Sequence, residues 1–427
     1  MTKAGKPLTP PLAPADHPLV RTPEEWTEVL GAWGEPRYRG PQVFRWIHQR
    51  GVTDPAAMTD LPKSLRERLA GEGSLAPALS VSSSHLSEDG TRKLLLSMAD
   101  ARTVESVLIP MSSSRAEGSF SAASDDDESE PVPEGEAPAS WVTQCISSQV
   151  GCAMGCVFCA SGIAGLKRHM TAAEIVSQVF VGKHEVTPGE RIRNDDSSAP
   201  PSAPSRPQAE PAPVRELPAE HSRIRNVVFM GMGEPLANYD AVSRALVLLT
   251  HPEGLGLSRR RVTVSTSGLV PEIDRLGRDF GGQVQLAVSL HAPTDAQRSS
   301  IMPINKKYPL AELLAALERY PLPKRRRITI EYTLIAGVNA SRADALELAR
   351  ILRRVPSKVN LIPMNAVAEN PLGAPDWDVV DAFQEALRER GVPSFVRRRK
   401  GDDIAAACGQ LALQGEKKKI RVQLPVT

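Results

Sequence analysis

From Trp141 onward the chain alternates strand-like and helix-like segments six times, and that alternation limits the folds open to it. Strand-like runs occupy residues 141–147, 226–230, 261–266, 283–290, 328–334 and 358–362. Segments with helical apolar spacing follow near residues 172–181, 241–249, 270–277, 310–319, 342–353 and 379–390, and Thr171 with Glu174 supplies a capping box for the first. Repeated strand–helix units specify a parallel sheet with crossover helices. Six of them predict an α/β fold, a partial (β/α)6 barrel open on one side, with its chemistry at the carboxyl ends of the strands.

The first such end carries Cys152, Cys156 and Cys159 in a CxxxCxxC run with Gly151 and Gly155. Three thiolates at this spacing suit a [4Fe–4S] cluster held by three protein sulfurs, which leaves one iron open to bind and reduce a cofactor. A structural zinc site instead closes a tetrahedron with four ligands, and surplus buried cysteines are the third reading. Five cysteines clustered this way do not form a secreted disulfide framework, so a reducing cytoplasm is expected. No apolar run is long enough to span a bilayer.

The remaining segments have distinct compositions. Residues 22–73 read as a small helical domain, and residues 78–110 as a strand-rich connector with strands near 93–98 and 103–109. Residues 111–140 hold eight carboxylates against Arg115, and residues 187–220 hold eight prolines; both read as disordered insertions in the folded body. The body proper spans 141–391, and a C-terminal segment, 392–427, carries Cys408. The net charge of +2 conceals the acidic insertion, without which the chain stands at +9 with basic runs at 259–261, 324–327, 397–400 and 417–419. Such a surface suits a polyanionic partner, although solvated helix ends account for part of it.

Small polar clusters cap the other strands. The second ends in Met230-Gly-Met-Gly233-Glu234-Pro235, where glycines admit a ligand to the backbone and Glu234 can accept from an ammonium group. The third, fourth and sixth end at Ser265, at Ser289-Leu290-His291 and at Asn365. Each cluster is weak by itself; together they predict a polar ring around one barrel mouth.

CxxxCxxC followed by a Gly-Glu-Pro turn resembles the radical S-adenosylmethionine enzymes. The segment Cys145 to Cys152, residues 230–238, 261–268 and 289–293, and Gly401-Asp-Asp through Cys408-Gly-Gln narrow the resemblance to the RlmN/Cfr family. Residues 22–73, with Pro36-Arg-Tyr-Arg39 and 58–63, are similar to that family's N-terminal domain. The resemblance runs from Glu24 to Leu411 outside the two insertions.

It implies methylation of an adenine in 23S rRNA and, in the RlmN branch, in certain tRNAs. Carbon-2 of adenine lies between two ring nitrogens and is too electron-poor to attack an electrophilic methyl group, so a radical route is needed. The resemblance implies one [4Fe–4S] cluster on Cys152, Cys156 and Cys159, and two molecules of S-adenosylmethionine consumed per methylation. Cys408 is then the methyl carrier through S-methylcysteine, and the second cofactor molecule yields a 5′-deoxyadenosyl radical that activates this methyl. Glu105 is the implied proton acceptor, and Cys145 the resolving thiol that forms a transient disulfide with Cys408. Cofactor contacts fall on Gly233, Glu234, Ser265, Ser289, Leu290, His291 and Asn365.

Blander roles remain for several of these residues: a buried structural thiol for Cys145, a solvent-facing strand carboxylate for Glu105, a barrel-mouth histidine for His291. The acidic insertion falls between Glu105 and Cys145 and leaves their relative placement open. The expected partners are rRNA, tRNA and a flavodoxin-type electron donor, with the chain a monomer. A Cfr-type enzyme acting at carbon-8 and a zinc-bearing RNA-binding module are the alternatives.

Overall fold

The computed structural model describes residues 10, 12–71, 73–112, 140–185, 224–365, 371–397, 400–401, 403–406 and 409–411. Cys408, nearly all of the acidic stretch and the whole Pro-rich stretch lie outside the described residues.

Three helices come first: α1 (Pro23–Ala32), α2 (Arg39–His48) and α3 (Lys63–Gly71). Thr22 starts α1 by accepting from Glu25 N at 3.3 Å while Glu25 accepts from Thr22 N at 2.8 Å, a reciprocal capping box. Trp26, Leu30, Phe44, Ile47, Leu65 and Leu69 are all buried, as one apolar face per helix requires.

Strands β1 (Leu79–Leu86), β2 (Arg92–Met98) and β3 (Thr103–Ser112) form an antiparallel meander. β3 then pairs antiparallel with β4 (Ser140–Cys145), placing Val107 opposite Cys145. The connector read from sequence is therefore continuous with the main sheet, and its β1 was not separately legible because only two buried positions, Leu79 and Ser84, punctuate it.

After β4 come the two-residue strand β5 (Gln149–Val150), the short α4 (Ala160–Ala164), β6 (Arg168–His169) pairing with β5, and α5 (Ala172–Glu185). The alternation then runs β7 (Ile224–Phe229), α6 (Tyr239–Leu249), β8 (Val262–Thr266), α7 (Val270–Phe280), β9 (Gln285–Ser289), α8 (Asp295–Ile301) and α9 (Leu310–Glu318). It ends with β10 (Ile328–Leu334), α10 (Arg342–Ile351), β11 (Ser357–Pro363), α11 (Trp377–Glu389) and β12 (Ser394–Val396).

The ten-stranded sheet has the order β1-β2-β3-β4-β7-β8-β9-β10-β11-β12, with every pair from β4 onward parallel. This is the expected partial barrel with one more parallel strand, β12, too short to show a period. The helix α8 also escaped the sequence reading: Asp-Ala-Gln-Arg-Ser-Ser-Ile has no apolar stripe, and its signal is the Thr294 N-cap, which accepts from Gln297 N.

Every residue of β10 and β11 is buried, so both faces of these strands are covered. One face packs on helices, as Tyr332 does against Phe383 of α11 at 5.2 Å. The other carries polar groups: Asn360 donates to Glu331 at 2.7 Å, and both side chains are buried. The helical region closes against the barrel's outer helices. Arg244 of α6 donates to both Glu25 oxygens at 2.8 Å and to Val20 O, and His48 stacks on Phe44 and meets the edge of Phe180 on α5. Among the described residues no helix is long and apolar enough to cross a membrane.

Candidate active site

The cysteine run occupies the loop from β5 to α4. Gly151 adopts φ +74°, and a side chain there would overlap the Gly165 carbonyl oxygen, so glycine closes the base of the loop. Cys152 and Cys156 are buried and Cys159 half-buried, and all three line one cleft at the carboxyl ends of the barrel strands. Burial pushes the Cys152 thiol up to about 12, and burial, with the neighbouring Cys159 and Cys152, also raises Cys156 well above its ordinary value. Cationic iron would offset both causes and stabilise the thiolates. Among the described residues no three His, Cys, Asp or Glu side chains gather as a single bound ion requires. A cubane takes each thiolate on a separate iron, and three cysteines lining one cleft supply that donor set.

The turn after β7 is braced against this loop. Glu234 N donates to Gln149 Oε1 at 2.8 Å, Glu234 Oε1 accepts from Leu236 N at 3.1 Å, and Oε2 accepts from Ser267 N at 2.7 Å. The carboxylate thus joins the turns after β7 and β8, and its burial raises its pKa. Gly233, at φ +103°, would place a Cβ 2.5 Å from Gln149 Cβ, so the two backbones meet only through glycine.

Ser265, Ser289, His291 and Asn365 also line the cleft. Leu290 does not: its side chain is buried in the core, while its backbone N donates to Glu331 O at 3.1 Å. His291 sits at φ +56°, its Nδ1 accepts from Thr333 N at 2.9 Å, and its ring meets Phe158 at 4.7 Å. Burial, assisted by the Arg298 charge, lowers its pKa to about 3, so the ring is neutral.

Glu105 and Cys145 lie to one side of this cleft on the paired strands β3 and β4. Ser106 Oγ donates to Cys145 O at 2.9 Å, and Ser147 Oγ donates to Glu105 O at 2.7 Å. Strand pairing therefore brings these residues together across the acidic insertion. Glu105 is buried rather than solvent-facing, and Lys93 Nζ stands 3.2 Å from its carboxylate. Next to Cys408 in the chain, Gly409 lines the cleft and accepts from Ala160 N at 2.8 Å, and Leu411 O accepts from Ser161 Oγ at 2.7 Å.

Several residues that shape the site were not singled out from the sequence. Arg298 is buried, and its guanidinium donates to Ser267 O, Ser289 O, Leu290 O and Asn305 Oδ1 at 2.6–3.2 Å, which ties the turns after β8 and β9 together. Nothing local distinguishes it from the surface arginines. Asn339 donates to His291 O at 2.6 Å and Thr333 O at 2.7 Å. Glu331 lines the cleft from within β10, with Oε1 buried and without a hydrogen-bond partner. Its signal was readable: a lone carboxylate inside the strand Ile-Thr-Ile-Glu-Tyr-Thr-Leu.

Known proteins share this architecture and sequence. Residues 21–74 match the family model described as the ribosomal RNA large subunit methyltransferase N-terminal domain. Residues 200–349 match that of the radical SAM superfamily, a stretch beginning after the cysteine loop. A dual-specificity RNA methyltransferase RlmN of Sorangium cellulosum is 55% identical over 95% of this chain and 97% of its own length. That of Geobacter sulfurreducens is 45% identical over 91% and 89%. The crystal structure of a radical SAM methyltransferase from Sphaerobacter thermophilus superposes with a TM-score of 0.73 at 40% identity, covering 94% of this chain and 99% of that one. With kinship extending from the first helix to the C-terminal segment, the chain belongs to the RlmN family of radical SAM methyltransferases.

Proposed function

We propose that this protein methylates carbon-2 of adenine in 23S rRNA and in tRNA, using Cys408 as methyl carrier. The observation that supports this most is one corner of the fold. Gly409, the neighbour of Cys408, lines the three-cysteine cleft, and β3 and β4, which carry Glu105 and Cys145, adjoin it through Ser147, whose Oγ donates to Glu105 O and accepts from Met232 N. Cys152, Cys156 and Cys159 would hold the [4Fe–4S] cluster, and the backbone at Gly233 and Glu234 with Ser265, Ser289, His291 and Asn365 would hold S-adenosylmethionine beside it. When bound, the pair supplies one-electron chemistry that makes a carbon-centred radical.

The chain's own groups do the rest. The Cys408 thiolate would take its methyl group from S-adenosylmethionine, with S-adenosylhomocysteine leaving, and present it to the adenine once one hydrogen atom has been removed from it by the radical. Glu105 accepts the proton that carbon-2 loses once the new carbon–carbon bond has formed, and the one electron released with it would return to the cluster that supplied it. Cys145 then attacks the Cys408 sulfur: an S–S bond forms, the S–C bond breaks with its electron pair going to carbon, and that carbon takes up a proton to become the methyl group. Phe158, Phe229, Met302 and Met364 give the cleft apolar walls.

The RNA partner suits the net basic charge outside the acidic insertion and the exposed Tyr38, over whose ring the Arg39 guanidinium lies at 4.9 Å. Reduction by a flavodoxin-type donor and action as a monomer complete the reading. The test is to incubate the anaerobically reconstituted protein with unmodified 23S rRNA and tRNA, and to separate the nucleosides by mass spectrometry. Adenosine methylated at carbon-2 in both RNAs is expected. 8-Methyladenosine as the main product would overturn the site of attack, and a colourless zinc protein without product would overturn the enzyme.

A further inference from the structure

Residues 400–401 and 403–406 lie against the β1–β2 hairpin. Ser87 Oγ donates to Asp403 Oδ1, and Glu88 N donates to Asp403 Oδ2 at 3.2 Å. Gly401 N donates to Asp89 Oδ2 at 3.2 Å, with Lys400 Nζ 3.9 Å from the same oxygen. These contacts join residues more than 300 positions apart in the chain.

Behind the turn, on β2, Lys93 makes two contacts at once. Its Nζ stands 3.2 Å from Glu105 Oε1 and donates to Ala405 O at 3.4 Å, with the two side chains 15% and 8% exposed. An ammonium group has three donors in a tetrahedral arrangement, so one lysine can hold a carboxylate on β3 and a carbonyl of the C-terminal segment in fixed relation. Ala405 stands three residues before Cys408.

We infer that Lys93 is a positioning residue for methyl transfer, holding the Glu105 carboxylate and the docked carrier segment in one arrangement on the β1–β2 hairpin. The inference rests on the reading of Glu105 as proton acceptor and Cys408 as carrier. Lys93 is not among the residues that line the cleft. Its effect is to place the base and the carrier so that carbon–carbon bond formation and loss of the carbon-2 proton occur without rearrangement of the segment.

The experiment compares Lys93→Met, Lys93→Arg and Glu105→Gln with the unaltered holoenzyme. Hydrogen–deuterium exchange of peptides covering residues 400–411 reports docking. The initial rate of RNA methylation and the fraction of RNA left covalently on the Cys408 peptide report the chemistry. Expected for Lys93→Met are about tenfold faster exchange at the Ile404 and Ala406 amides, a methylation rate at least tenfold lower, and a raised fraction of tethered RNA. Lys93→Arg, which keeps the charge and donors, should return exchange and rate to within about threefold. Unchanged exchange and rate in Lys93→Met would overturn the inference. So would a loss of rate that arginine does not relieve and that leaves exchange unchanged. Full methylation by Glu105→Gln would instead remove the proton-acceptor reading, while faster exchange in Lys93→Met would still establish the docking contact.

Discussion

Cys145 is buried on the strand beside Glu105, close in sequence to the cysteine loop yet outside the cleft's lining. If it resolves the tethered intermediate, Cys145→Ala should load Cys408, join it to adenine and then stall. A nuclease-digested peptide map should show an adenine nucleotide on the Cys408 peptide, and none in the Cys145→Ala, Cys408→Ala double variant. Free methylated RNA at full yield would make Cys145 a structural thiol. A different residue-scale consequence concerns acid stability. Burial lowers the pKa of His48 to about 3, and the folded protein keeps this ring neutral. The unfolded chain takes up the proton near pH 6.5, so the stabilisation is complete above that pH and is lost as pH falls toward 3. Denaturant titrations of His48→Gln between pH 6 and 4 should show a slope shallower by about 1 kcal/mol per pH unit. An unchanged slope would mean that the ring titrates normally in the folded state.

Among the elements, the turn after β7 illustrates how a loop is made rigid without a long core. Its glycines let it touch β5, and the Glu234 carboxylate fixes it to the turn after β8. Gly233→Ala would force both a disfavoured positive φ and a clash with Gln149. It should cost about 2 kcal/mol in thermal or denaturant unfolding. Because the strain falls at the cofactor's expected site, affinity for S-adenosylmethionine should fall tenfold or more, measurable by equilibrium dialysis. Local spacing made this turn legible in advance, since its signal lies within six consecutive residues. The brace provided by Arg298 was not, because its four acceptors come from three separate loops.

Over the whole molecule, one buried polar contact that attaches the N-terminal helices to the barrel is made by Arg244. Its guanidinium serves Glu25, Val20 O and Ala13 O together, so Arg244→Met strands a partly buried carboxylate and two carbonyls. The expected loss is about 2 kcal/mol, since Glu25 keeps some solvent, and limited proteolysis between α3 and β1 should become several-fold faster. Wild-type proteolysis rates would show that apolar packing around His48 and Phe180 suffices to hold the helices.

The amino-acid sequence by itself determined the parallel βα core, the three-cysteine loop and the polar strand ends, because each is written in the spacing of neighbouring residues. Only the tertiary structure decided that the connector extends the barrel sheet and that Glu105 lies buried on the strand paired with that of Cys145. It also decided that Lys93 reaches a segment more than 300 residues away. Strand pairing and side-chain convergence of that kind depend on burial free energy summed over the folded chain, which leaves no periodic trace along it. Glu331 lies between these cases: the sequence displays its charge within a strand, but both faces of that strand are covered, and only packing shows which one opens on the cleft.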